Sequence, residues 1–168
     1  IKQADVLQGF YFFEDHFSKS ELENNFNYYE QFTVHESSLS ACIHSVLASR
    51  INNTEKAYDY YIRASRLDLD DYNKEIKQGL HITSMGGSWM SIIEGFAGVK
   101  IFENKLYLNT NIPEKWDNYS FKLNIKNRKI NVLINKNETK INLLSGEKID
   151  IMLNNQEITI YPKTIKIN

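Results

Sequence analysis

The sequence predicts a chain that is helical in its first part and a small antiparallel β domain in its second. Three observations carry this. Apolar residues recur at helical spacing to about residue 98. After Gly98 the period becomes two, in short alternating runs divided by turn residues. Charge changes sign at the same place: residues 1–99 hold 8 basic and 14 acidic side chains, and residues 100–168 hold 12 and 7, which together give −1. Two domains are expected, residues 1–98 and residues 99–168.

The helical elements follow in order. Ala4 to Phe17 is apolar nearly all round, with Phe10, Tyr11, Phe12 and Phe13 in a row, and reads as a buried helix. Ser20-Glu21-Leu22-Glu23 is a capping-box pattern that would open a second helix running to Tyr28 or Tyr29. Ser38 to Ile51 gives a third, and Asn53 caps a fourth that runs to about Leu67. Asp68-Leu69-Asp70-Asp71 is a helix exit. The fifth spans Ser84 to Phe96, opening near Met85-Gly86-Gly87 and ending near Gly95 or Gly98. No strand interrupts them, so they pack as antiparallel hairpins.

The β half begins with Val99-Lys100-Ile101 and Leu106-Tyr107-Leu108 around Glu103-Asn104-Lys105, a hairpin signal. Tyr119 to Ile125 and Arg128 to Asn135 share the turn Lys126-Asn127-Arg128. Thr139 to Leu144, Lys148 to Leu153 and Glu157 to Tyr161 continue the alternation, with breaks at Ser145-Gly146 and Asn154-Asn155. Lysines alternate with apolar residues, as in Lys122-Leu123-Asn124-Ile125-Lys126. That is the solvated face of a sheet and argues against nucleic-acid binding.

Composition bounds the rest. The chain has 168 residues, 42% hydrophobic and 24% charged, enough for one domain or two small ones. Its apolar runs fall far short of the roughly 20 residues that span a bilayer, so no membrane association is expected. The single Cys42 forms no internal disulfide and fits a reducing, cytoplasmic setting. The four histidines lack metal-ligand spacing, and neither a P-loop nor a Gly-x-Ser-x-Gly elbow occurs. The first residue is Ile1, which reads as an internal piece of a longer protein.

Three clusters could carry chemistry. Lys2-Gln3-Ala4-Asp5 precedes an apolar helix; its plainer reading is a helix start with Asp at the positive end of the dipole. Thr33-Val34-His35-Glu36-Ser37-Ser38-Leu39-Ser40 sets a His, a carboxylate and hydroxyls before a helix, either as an anion site or as a richly capped terminus. Gly79-Leu80-His81-Ile82-Thr83-Ser84-Met85-Gly86-Gly87 joins a His, hydroxyls and two glycines. It suits a phosphate cradle or a close helix crossing.

These segments, with Tyr28-Tyr29-Glu30, Tyr58 and Arg66-Leu67-Asp68-Leu69-Asp70-Asp71-Tyr72 between them, resemble glycoside hydrolase family 65, the maltose, kojibiose and trehalose phosphorylases. The resemblance covers residues 1 to about 98, continues through Pro113-Glu114-Lys115-Trp116 and fades past about residue 135. It implies the last helices of an (α/α)6 barrel followed by the family's small C-terminal β domain. It implies an inverting phosphorolysis, with inorganic phosphate as co-substrate, an α-linked glucose disaccharide as substrate, and neither cofactor nor metal. The general acid of the family is a Glu in a segment like Gly-Pro-Asp-Glu-Tyr-His, which does not occur here, so this chain alone is expected to be inactive.

By the same resemblance Lys2 and Gln3 bind the glucosyl unit. His81, Ser84, Gly86 and Gly87 line the phosphate side, with Ser38 a weaker partner. His35 and Glu36 stand behind them, Glu36 orienting His or Lys donors. Maltose is the first choice of substrate, ahead of kojibiose and trehalose, ahead of a hydrolytic relative, and ahead of a carbohydrate-binding or structural module. The rest of the parent chain is the implied partner, and a homodimer is compatible.

Overall fold

The computed structural model describes residues 1–162. It forms two compact units, Ile1–Phe96 and the residues from Ala97 onward.

The first unit holds five α-helices: α1 (Asp5–Phe12), α2 (Lys19–Glu30), α3 (Ser40–Arg50), α4 (Thr54–Ser65) and α5 (Ile82–Met90). Helix α5 runs on as a π-helical turn, Ser91–Phe96. Helix α3 is the hub. Every residue from Ser40 to Ser49 is buried, and the other four helices pack against it. Its composition explains how: small Ala and Ser residues let neighbours come close, and each buried hydroxyl must then find an acceptor. Ser45 donates to the Ala57 carbonyl of α4 at 2.8 Å, and Ser84 of α5 donates to the Ala64 carbonyl of α4 at 2.8 Å.

Several expected boundaries move. Helix α1 ends at Phe12 instead of Phe17, and a 3₁₀ turn, Glu14–His16, follows. Phe12, Phe13 and Phe17 are 65%, 60% and 39% exposed, so within this chain the segment is not the buried helix its composition predicts. The capping box uses Ser18, not Ser20: Ser18 Oγ accepts the Glu21 N–H at 3.3 Å, and the Glu21 carboxylate accepts the Ser18 N–H at 2.8 Å. Ser-x-x-Glu occurs in two overlapping frames here. The chosen frame puts Leu22 and Phe26, four residues apart on one face, into the core. Helix α5 opens at Ile82, so Gly86 and Gly87 lie inside it and not at its entrance.

The second unit has seven strands: β1 (Lys100–Phe102), β2 (Lys105–Leu108), β3 (Asn118–Ile125), β4 (Arg128–Asn135), β5 (Thr139–Ser145), β6 (Ile149–Leu153) and β7 (Gln156–Ile160). They form two sheets, β1-β2-β6-β7 and β3-β4-β5. Alternation sets the inner faces: Ile130, Val132 and Ile134 of β4 join Leu106, Leu108, Leu143 and Ile151 in one core. Every pair is antiparallel except β2 with β6. That parallel pair corrects the expected all-antiparallel sheet. It arises because β3–β5 form a separate sheet before the chain returns to β2. Three tight hairpins carry consecutive positive φ values, at Glu103-Asn104, Lys126-Asn127 and Asn154-Asn155, the twist that two-residue hairpins require. Gly98 also has positive φ, +59°, and a Cβ there would stand 2.4 Å from the Asn109 carbonyl oxygen.

Candidate functional site

The three chemistry-bearing segments all lie in the helical unit, and two of them meet at the start of α3. The first, Ile1–Ala4, runs as a strap along the loop before α3. The Ile1 nitrogen donates to the Phe32 carbonyl at 2.6 Å, and the Val34 N–H donates back to the Ile1 carbonyl at 2.9 Å. At the other end of the strap the Ala4 N–H donates to Ser40 Oγ at 3.2 Å, with Ser40 fully buried. Lys2 and Gln3 are thus held between two anchored points. Lys2 is exposed, and Gln3 donates from Nε2 to Asp5 Oδ1 at 2.9 Å.

The second segment turns outward just before α3. His35 has a φ of +55°, which reverses the chain and leaves Glu36 exposed and Ser37 and Ser38 half-buried. The His35 ring points the other way. It packs 4.5 Å from the His44 ring and 5.0 Å from Tyr60, and its carbonyl accepts from Arg63 at 3.2 Å. Burial first, then the neighbouring His44 and Arg63, lower the His35 pKa to about 4, so the ring is neutral. His44 is lowered too, chiefly by burial, and its Nδ1 meets the Ser40 carbonyl at 2.9 Å. His35 is therefore a core histidine that anchors the loop. Glu36 is exposed and has no His or Lys partner among the described residues. Among the described residues the Ser38 hydroxyl has no partner, two residues ahead of α3.

The third segment divides. A Cβ on Gly87 would stand 2.5 Å from both Cβ and Sγ of Cys42, so α5 crosses the first turn of α3 with no room for a side chain. Gly86 faces open space. Ser84 is buried, and its proton is committed to the Ala64 carbonyl, so its hydroxyl has no donor left for an anion. Of the two readings of this motif, the structure gives Ser84 and Gly87 clear packing reasons.

His81 sits at the entrance of α5, away from the strap contacts. Asp68 holds it twice: Oδ1 lies 2.5 Å from Nδ1, and Oδ2 accepts the His81 N–H at 2.9 Å. Glu75 lies 3.6 Å from Nε2. The Asp68 hydrogen bond raises the His81 pKa, and Asp68 is lowered in turn by His81. An aspartate on Nδ1 fixes the ring and favours its protonated form, which makes Nε2 a charged donor. Asp68 was not visible as a partner in the sequence, where it reads as part of a helix exit; the pair closes a 13-residue loop.

Helix α5 carries two further serines bonded back to its own carbonyls. Ser88 donates to Ser84 and Ser91 to Gly87, at 2.8 and 2.9 Å. Such back-bonds loosen a helix, and the π turn begins at Ser91. Glu94 in that turn accepts from the Tyr11 hydroxyl of α1 at 2.5 Å, which ties the helix behind the strap to α5's extension. Burial, then Glu94, pushes the Tyr11 pKa up. No group of three His, Cys, Asp or Glu side chains suited to a metal occurs among the described residues.

The helical unit thus brings a Lys-Gln strap, a hydroxyl loop and a glycine crossing to one helix start, and a two-sheet β unit follows it in sequence. Residues 1–90 match the glycosyl hydrolase family 65 central catalytic domain, and residues 99–160 match the C-terminal domain of the same family. The chain belongs to glycosyl hydrolase family 65. It is 44% identical over 160 residues to maltose phosphorylase of Bacillus subtilis, covering 95% of this chain and 21% of the relative. It is 41% identical over 165 residues to α,α-trehalose phosphorylase of Thermoanaerobacter brockii, covering 98% and 21%. A solved structure, "Putative kojibiose phosphorylase from human microbiome", superposes with a TM-score of 0.91 at 37% identity, covering 96% of this chain and 22% of that one. The chain thus spans about a fifth of the length of these relatives.

Proposed function

We propose that this chain is the C-terminal part of a cytoplasmic, inverting disaccharide phosphorylase that converts maltose and inorganic phosphate into glucose and β-glucose 1-phosphate. The 44% identity to a maltose phosphorylase carries the substrate choice. Trehalose is the second reading, favoured by a relative at 41%. In the reaction phosphate attacks the anomeric carbon from one face while an acid protonates the departing oxygen on the other. The acid lies outside these 168 residues. Phosphate arrives as an anion and needs positioning more than deprotonation.

The strap supports this reading best. Lys2 and Gln3 donate hydrogen bonds to sugar hydroxyls from a backbone fixed at Ile1 and Ala4. Ser38, with its free hydroxyl, and Gly86, with its open approach, line the phosphate side. His81, its ring fixed by Asp68, supplies a hydrogen-bond donor. Ser84 and Gly87 hold α5 in place against α4 and α3. No cofactor or metal enters the scheme.

The test is made on the full-length protein, incubated with maltose, with trehalose and with kojibiose, each with and without phosphate. Phosphate-dependent β-glucose 1-phosphate from maltose above the others is the expected result. Glucose release that ignores phosphate would make the enzyme a hydrolase and end the proposal.

A further inference from the structure

We infer that Ser40 is a positioning residue for the sugar-binding strap: its buried hydroxyl sets where Lys2 and Gln3 stand. The inference rests on the strap reading above. Ser40 Oγ accepts the Ala4 N–H at 3.2 Å across 36 residues of sequence, and Ser40 is 0% exposed. The Ala4 N–H is the first backbone donor after Gln3, so its anchor fixes the direction in which both side chains leave the strap. The other anchor is a backbone bond, from the Val34 N–H to the Ile1 carbonyl at 2.9 Å, that no side-chain substitution removes. Ser40 is therefore the point at which a side chain of α3 controls the strap.

Its own position is fixed in turn. The Ser40 N–H donates to the Ser37 carbonyl at 3.2 Å, and the Ser40 carbonyl meets His44 Nδ1 at 2.9 Å. His44 is fully buried and packs on Phe26 at 5.8 Å and on His35 at 4.5 Å. The residue that holds the strap is thus itself held by the core of the unit. A rigid base of this kind supports a donor pair that must match a sugar ring, because misplacement of about 1 Å can cost a hundredfold in rate.

Ser45 provides the control. It lies on the same helix, is equally buried, and donates to Ala57 at 2.8 Å without touching the strap. Ser40→Ala, Ser45→Ala, Gln3→Ala and the Ser40→Ala/Gln3→Ala double variant would be made in the full-length protein. Phosphorolysis kinetics and thermal midpoints would be measured for each. Ser40→Ala is expected to lower kcat/KM for the disaccharide about tenfold or more and to shift the midpoint no more than Ser45→Ala does. The double variant is expected to lose less than the product of the two single losses, because part of the Ser40→Ala effect runs through Gln3 and the rest through Lys2. Equal kinetic losses in Ser40→Ala and Ser45→Ala, or additive losses in the double variant, would overturn the inference and leave the phosphorylase reading intact. Absence of phosphorolysis in the unsubstituted protein would overturn both.

Discussion

Replacing Gly87 with alanine separates packing from ligand approach at the glycine pair. A Cβ at this position would stand 2.5 Å from Cβ and Sγ of Cys42. Comfortable carbon contacts are about 3.5–4.0 Å, so α3 and α5 would have to part by about 1 Å. Overpacking of this kind costs about 1–3 kcal/mol. Helix propensity opposes it by about 1 kcal/mol, since Ala is the better helix former. The net is a loss of about 0–2 kcal/mol, read as a lower denaturant midpoint at unchanged slope in the full-length protein. A second substitution tests the cause. Cys42→Ala removes the sulfur but keeps the Cβ at 2.5 Å, so it should not rescue Gly87→Ala. Cys42→Gly removes both atoms and should offset most of the clash. An unchanged midpoint in Gly87→Ala, with a raised phosphate KM, would refute the packing account and return Gly87 to the phosphate side.

Two pH predictions have opposite signs. His35 and His44 are neutral in the native state, with His35 lowered to about 4 by burial first. In the unfolded chain they protonate near 6.5, so the unfolded state binds more protons and stability is lost as pH falls from about 6.5 to about 4. The His35 shift is worth on the order of 3 kcal/mol; His44→Phe should flatten the acid limb of a pH–stability curve, and an unchanged limb would count against buried neutral rings. His81 is raised by Asp68, so its contribution is complete below the unfolded pKa and is lost as pH rises through the folded one. Asp68→Asn should lower the His81 pKa measured by NMR, and should move to lower pH the point at which phosphate KM begins to rise; a KM profile that stays put would remove His81 from the phosphate site.

Periodicity and turn chemistry made most of the fold legible. The change from helical to alternating spacing near Gly98 marks where the β strands begin, and consecutive Asn-bearing turns such as Lys126-Asn127 mark the hairpins. What escaped was set by tertiary contact. Ser18 and Ser20 offer the same local cap, and only the burial of Leu22 and Phe26 selects between them. The aromatic run at Phe12 and Phe13 looks like core because sequence reports hydrophobicity and not what covers it. At the candidate site, Lys2, Gln3 and Ser38 were legible as polar groups beside helices. Asp68 was not, because its partner His81 lies across a loop with no periodic spacing. Ser40 appeared only as one hydroxyl among several, since its distinguishing contact spans 36 residues. Ser84 shows the converse: a hydroxyl beside two glycines looks exposed to ligand, and its burial against Ala64 becomes visible only when α4 and α5 are packed together.

Charge decides which donors can serve an anion here. Residues 1–99 hold six more acidic than basic side chains, 14 against 8, a balance that disfavours an anion. A cation already paired to a carboxylate adds little attraction. Arg50 faces Glu14 at 3.5 Å, Lys56 faces Glu30 at 3.0 Å, and Arg66 forks onto Asp70 at 2.6 and 2.7 Å. Lys2 faces no carboxylate among the described residues, because the nearest in sequence, Asp5, accepts from Gln3. The Gln3–Asp5 bond fixes Gln3 without neutralising Asp5, so the strap carries one positive and one negative side chain, with the Lys2 ammonium exposed.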